Sequence, residues 1–134
     1  MYSFEKTKYG LKMQLTDFFS FELAQDFYKQ YAIFMEEMKK ENPNGFCQFG
    51  DLRGYKAGPP EAQKYINDAM HKFKEVGGKR SIVLFDNPVT VMQIKRLAKQ
   101  SGIDQGERYI DSQTYPDFEK IVHAWLVDAV DPEG

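Results

Sequence analysis

Ser81-Ile82-Val83-Leu84-Phe85 is an unbroken apolar run between the glycine pair Gly77-Gly78 and the helix-opening dipeptide Asn87-Pro88. A strand with no polar face is covered on both sides, as in the interior of a parallel or mixed sheet. Working outward from it, helical patterns flank the run. Upstream, Pro59-Pro60 suits a helix start, since the first turn has no use for the missing N–H groups. Ala62, Tyr65, Ile66, Ala69, Met70 and Phe73 then form one stripe, and Gly77-Gly78 stops it. Downstream, Val91, Ile94, Leu97 and Ala98 follow Asn87-Pro88 as far as Gly102.

The ends of the chain complete the pattern. Tyr9, Leu11, Met13 and Leu15 alternate with Gly10, Lys12 and Gln14, the period of a half-buried strand, and residues 2–7 are its hairpin partner. A helix is expected from about Ser20 to Lys40, with Leu23, Ala24, Phe27, Tyr28, Tyr31, Phe34, Met35 and Met38 at spacings of three and four. Phe46 to Leu52 reads as a strand, Arg53 to Gly58 as a loop, and Arg108 to Ile110 as a short strand. In the last helix Thr114-x-x-Asp117 looks like a capping box, ahead of a stripe of Phe118, Ile121, Val122, Trp125 and Ala129. The order β-β-α-β-α-β-α-β-α implies a layered α/β fold, in a single domain over residues 1–134.

Composition removes several classes. The 134 residues carry a net charge of −2, with no basic stripe of the kind nucleic-acid binding needs. No stretch approaches the roughly 20 apolar residues of a membrane span, and the first residues lack the apolar run of a signal peptide. Cys47 is the single cysteine, so a reducing, cytoplasmic setting is expected, without an internal disulfide or cysteine zinc cluster. The aromatics are unevenly placed. Residues 1–55 hold 13 of the 20 aromatic residues but 5 of the 21 Ile, Leu and Val residues. The first helix is therefore where an unusual site is sought.

With Asp51-Leu52-Arg53-Gly54, Ile82-Val83-Leu84-Phe85 and Ala124-Trp125-Leu126 in place, the chain resembles the SpoIIAA-like proteins. These belong to the STAS superfamily of sulphate-transporter and anti-sigma-factor-antagonist domains. The resemblance runs from about Tyr9 to Val127 and rests on element order, the D-L-R strand end, the apolar strand and the final helix. It implies a mixed sheet with helices mainly on one side, and a non-enzymatic role in binding or regulation. Relatives of this type are switched by phosphorylation of a serine at the helix start after the third strand. The matching window, Lys56-Ala57-Gly58-Pro59-Pro60, has no hydroxyl, and no Ser or Thr occurs from Asp51 to Arg80. That puts the phospho-switch in doubt; Tyr55 is the only hydroxyl nearby and reads as a solvated loop residue.

The candidate chemistry follows from residue types. Asp51, Asp86 and Asp111 sit at expected strand carboxyl ends, where open α/β sheets bind ligands, and three carboxylates suit Mg²⁺. Each also suits a structural role: Asp86 and Asp111 capping backbone N–H groups, Asp51 pairing with Arg53 or Lys79. Cys47 reads as a buried, inert thiol, with His71 and His123 on the surface. Lys95, Arg96 and Lys99 near a helix C-terminus read as a solvated face complementing the dipole.

The aromatic band of the first helix has three readings: core, a pocket for a small hydrophobic molecule, or a surface for a protein partner or second copy. The expected function is a non-catalytic binding or regulatory domain with no cofactor. Phe27, Tyr31, Phe34 and Met38 line the apolar side of its site, and Arg53, Tyr55 and Lys56 form a polar mouth. A metal-dependent enzyme built on Asp51, Asp86 and Asp111 is the alternative.

Overall fold

The computed structural model describes residues 1–134. In chain order the strands are β1 (Tyr2–Thr7), β2 (Gly10–Leu15), β3 (Asp17–Phe18), β4 (Phe46–Asp51), β5 (Tyr55–Lys56), β6 (Gly78–Phe85) and β7 (Glu107–Asp111). The helices are α1 (Phe21–Glu41), α2 (Pro60–Glu75), α3 (Pro88–Ser101) and α4 (Phe118–Asp128), with a 3-10 turn at Asp104–Gly106. The main sheet has the order β1-β2-β4-β6-β7. Its first pair is antiparallel and the other three are parallel. The molecule is thus a mixed α/β structure with a mixed sheet and four helices.

Each parallel crossover steps one strand further in the same direction. Connections of one hand then carry α1, α2 and α3 to the same face of the sheet. The chain turns after β7, and α4 covers the opposite face. Two apolar clusters result. The larger joins Leu11, Leu15, Phe46 and Val83 of the sheet to α1, α2 and α3. The smaller joins Cys47, Phe49, Ile82, Leu84 and Ile110 to Val122, Trp125 and Leu126 of α4. Residues 81–84 of β6 are buried throughout, as expected of a strand covered on both faces.

Local chemistry sets the boundaries. Ser20 caps α1 by accepting the Leu23 N–H at 3.2 Å, and Asn87 caps α3 by accepting the Val89 N–H at 2.9 Å. Gly102 closes α3 in the left-handed conformation, φ 81°. β6 begins at Gly78, before the apolar run, and a Cβ at that position would lie 2.5 Å from the Phe73 ring.

Three local expectations are corrected. The 53–58 loop contains β5, which pairs in parallel with β3; two-residue strands leave no periodicity to read. The Thr114–Asp117 capping box does not form. Thr114 and Tyr115 instead donate their backbone N–H groups to Asp111 O in a turn, and the Asp117 side chain makes no cap bond. Ala129 lies past α4, as its left-handed C-cap with φ 56°.

The aromatic excess of the first half is largely spent on the β1–β2 end of the sheet. Phe4 lies within 5.4–6.1 Å, centroid to centroid, of Tyr2, Phe27, Tyr31 and Phe34. Phe19 joins this array to Tyr55 at 5.2 Å. No helix is long and apolar enough to cross a membrane.

Candidate functional site

Across the helix-covered face, the register places Gln48 of β4 opposite Ser81 of β6, and Ser81 opposite Glu107 of β7. All three are buried, so a polar row crosses the middle of an apolar face. Tyr31 of α1 donates its hydroxyl to Gln48 Oε1 at 2.7 Å. Ser81 Oγ donates to Glu107 Oε1 at 2.9 Å, and the Tyr109 hydroxyl donates to Glu107 Oε2. Within the protein the Gln48 carboxamide is engaged through its oxygen alone, which leaves its N–H groups to whatever occupies the space above.

That space is a cavity of about 40 Å³ between the sheet and the helices, with the polar row as its floor. Met13, Leu15, Phe27, Ile66, Met70 and Ile94 supply much of its apolar wall. A water needs on the order of 10–15 Å³ of such volume, so the cavity holds a small cluster of waters or the end of a small molecule. Met13 and Met70 are the adaptable parts of the wall, since an unbranched thioether changes rotamer at low cost.

No cation lies opposite Glu107. Burial pushes its carboxyl up to about 7, and the hydrogen bonds from Tyr109 and Ser81 only partly oppose that rise. Burial likewise pushes the Tyr55 phenol up to about 12 and raises Tyr31 strongly, with the Gln48 hydrogen bond acting the other way. The floor therefore carries a carboxyl that holds its proton more readily than a solvent-exposed glutamate, and both of its oxygens accept hydrogen bonds, from Ser81 and Tyr109.

Of the residues singled out from sequence, Phe27, Tyr31 and Tyr55 line this cavity; Tyr55 is not the solvated loop residue expected, because β5 turns its ring inward onto Phe19, where it is buried. Phe34 packs on Phe4 at the sheet edge, with Lys6 Nζ 5.5 Å from its ring centre. Met38 is buried in the larger apolar cluster. Lys56 is exposed on β5. Arg53 lies elsewhere, in a separate groove of about 260 Å³ beside α4 that also includes Tyr9, Lys12, Phe49 and His123. Its guanidinium holds Asp51 at 2.8 and 3.0 Å and lies 5.1 Å from the Phe118 ring centre. Arg53, Tyr55 and Lys56 thus do not form a common mouth, because successive residues leaving β4 turn to different sides of the sheet.

The three aspartates are used separately. Asp51 pairs with Arg53, Asp86 accepts the Gly54 N–H at 3.2 Å, and Asp111 accepts the Gln113 N–H at 3.0 Å. No group of three or more His, Cys, Asp or Glu side chains is arranged to hold a metal ion. Cys47 is buried, while His71 and His123 are exposed.

Gln48, Ser81 and Glu107 are not among the residues singled out above. The signal was present as parity: each is the polar member of the inward-facing set on its strand, where an apolar residue is the rule.

Gly50, two residues along from Gln48 on the same face, also lines the cavity. A Cβ there would meet nothing nearer than Met13 Cε at 3.6 Å. Gly50→Ala is expected to raise stability by roughly 0.5–1 kcal/mol, by filling space and restricting the unfolded chain. Urea denaturation reads this directly, and a lower midpoint would mean that the wall is already close-packed.

No family model, curated protein or solved structure matches this chain.

Proposed function

We propose that the chain is a non-catalytic binding domain of the SpoIIAA-like, STAS type. Its cavity takes a small, mainly apolar molecule bearing one hydrogen-bonding end. The observation that carries this reading is the row Gln48–Ser81–Glu107 beneath an otherwise apolar cavity. Few convergent polar groups in an apolar hollow are the usual make-up of a small-molecule site. Here the polar groups include the free amide donors of Gln48 and the buried carboxyl of Glu107. The cavity volume sets the ligand's scale at a polar head and a few carbons, more if Met13 and Met70 swing aside.

The family part of the proposal is supported by the element order, the Asp51-Leu52-Arg53 strand end and the placement of α1, α2 and α3 on one face. The window without a hydroxyl at residues 56–60 favours ligand binding over a phosphorylation switch as the regulatory input. A cytoplasmic location belongs to the same reading, in keeping with the free thiol of Cys47.

A thermal-shift screen of short alcohols, short fatty acids, Mg²⁺ and nucleotides tests it. A fitting amphipathic compound at a hundredfold excess over its Kd is expected to raise Tm by on the order of 10 °C. Gly50→Val, which fills the cavity, is expected to abolish the shift. A rise with Mg²⁺ alone, lost in Asp51→Asn, would overturn the binding reading in favour of a metal-dependent enzyme.

A further inference from the structure

β7 is the last strand of the sheet, and one of its sides is open. The Ser112 N–H donates to Phe85 O, which fixes the parity of this parallel pair. Residues 108, 110 and 112 turn their backbone groups towards β6, so residues 107, 109 and 111 turn theirs away. Of these outward groups, the Glu107 N–H is taken by Asp104 O. Glu107 O accepts from the Arg108 side chain at 3.0 Å, and Asp111 O accepts from Thr114 and Tyr115. The Tyr109 N–H and C=O and the Asp111 N–H remain, adjacent and facing outward. Such a row is a template for another strand.

The two flanks of this edge differ in chemistry. On the helix side a shallow groove of about 500 Å³ runs beside Tyr109, lined by Met92, Lys95, Arg96 and Lys99, with Asp104 as its one acid. α3 has no acidic residue, and none of these three cations has a carboxylate partner among the ion pairs. Lys95 Nζ lies 4.9 Å from the Tyr109 ring centre. On the α4 side a groove of about 270 Å³ is mainly apolar, formed by Ile110, Tyr115, Ile121, Val130 and Pro132 beside Tyr109, with Glu133 as its one charged residue. Tyr115 and Val130 there are 48% and 57% exposed.

We propose that the open edge of β7 docks an extended acidic segment of a partner protein, added to the sheet as a sixth strand. Alternate side chains of a strand fall on opposite faces. The acidic ones would meet Lys95, Arg96 and Lys99, and the apolar ones would enter the groove beside α4. Backbone hydrogen bonds to Tyr109 and Asp111 supply the pairing and the two grooves supply specificity. A second copy of this chain is the poorer occupant. Antiparallel pairing of two β7 edges about a two-fold axis normal to the sheet keeps both helix layers on one face. It sets two cationic α3 surfaces side by side, where like charges oppose association. This proposal stands apart from ligand binding in the cavity.

The test uses the full chain and a capped nonapeptide alternating glutamate with valine. Its controls are a lysine–valine peptide and a glutamate–valine peptide N-methylated on alternate residues. Expected are saturable binding of the first peptide only, and slowing of Tyr109 and Asp111 amide exchange by about tenfold or more. Lys95→Glu with Lys99→Glu, both on the surface, is expected to weaken binding at least about tenfold, as does raised salt. The proposal is overturned by equal binding of the lysine or N-methylated peptide, by no binding, or by protection confined to residues 2–7. Protection of Tyr109 and Asp111 that grows with protein concentration alone, with a dimer in sedimentation, would overturn it in favour of self-pairing.

Discussion

Replacing Trp125 with alanine is expected to cost about 3–5 kcal/mol of folding stability, enough to unfold much of a marginally stable population. The indole is buried in the smaller apolar cluster, and its N–H donates to Ser81 O at 2.9 Å. The ring is flanked by the guanidinium groups of Arg108, 4.5 Å from its centre, and Arg80, 5.7 Å away. Arg80 in turn donates to Trp125 O and Leu126 O at 2.9 and 3.0 Å, near the carboxyl end of α4. Alanine removes the ring, the hydrogen bond and both cation–aromatic contacts together, so α4 loses its main anchor. Trp125→Phe keeps most of the apolar contact and is expected to cost only about 1–2 kcal/mol. Denaturant melts of the two variants separate these contributions. Equal losses would mean that the indole hydrogen bond, not burial, holds α4 on the sheet.

The second large effect is a dependence on pH centred on Glu107. Its carboxyl titrates near 4.5 when unperturbed and at about 7 in the folded protein. The folded state therefore holds the proton more tightly. This contribution is complete below pH 4.5 and is lost as pH rises through about 7. The difference corresponds to on the order of 3 kcal/mol between pH 4 and pH 8. Asp131, held down to about 2 by the hydrogen bond from Arg108, has the opposite sign. Its contribution is lost only as pH falls towards 2, outside that window. Glu107→Gln keeps the shape and removes the titration. The variant is expected to be more stable than the parent at pH 8 and to show a flatter profile from pH 5 to 8. An unchanged slope in the variant would assign the pH dependence to other groups.

How much of this was legible beforehand depends on the scale of the signal. Ser81 to Phe85, the stripe of α2 and the alternation of residues 9–15 declare themselves through several residues each, and the sheet-and-helix order follows. The β3–β5 pair was invisible because two residues carry no period. The Thr114–Asp117 motif misled because Asp111 O captures the Thr114 and Tyr115 amides in a turn before the helix begins. For the candidate site, the aromatic band of α1 divides between two places. Phe27 and Tyr31 face the cavity, while Phe34 fills the β1 edge.

The floor of the cavity needed tertiary register. Gln48, Ser81 and Glu107 lie 33 and 26 residues apart along the chain, and only the parallel pairing of β4, β6 and β7 makes them neighbours. Arg53 shows the converse. Its place in sequence beside Tyr55 suggested a shared mouth, but the turn after β4 sends its side chain to Asp51 and Phe118 on the α4 side.

The central claim is that the cavity above Gln48, Ser81 and Glu107 is a ligand site. The six methionines provide the means to test it, because Met13 and Met70 line the cavity while Met1 and Met92 are 70% and 69% exposed. The decisive measurement is a titration of ¹³C-methyl-methionine protein with straight-chain alcohols of about four to six carbons, sized to place one hydroxyl on the polar floor. Saturable shifts of the Met13 and Met70 methyl resonances are predicted, with Met1 and Met92 unmoved and affinity lowered by on the order of tenfold in Glu107→Gln. Shifts confined to Met1 and Met92, or none at any concentration the fold tolerates, would contradict the account.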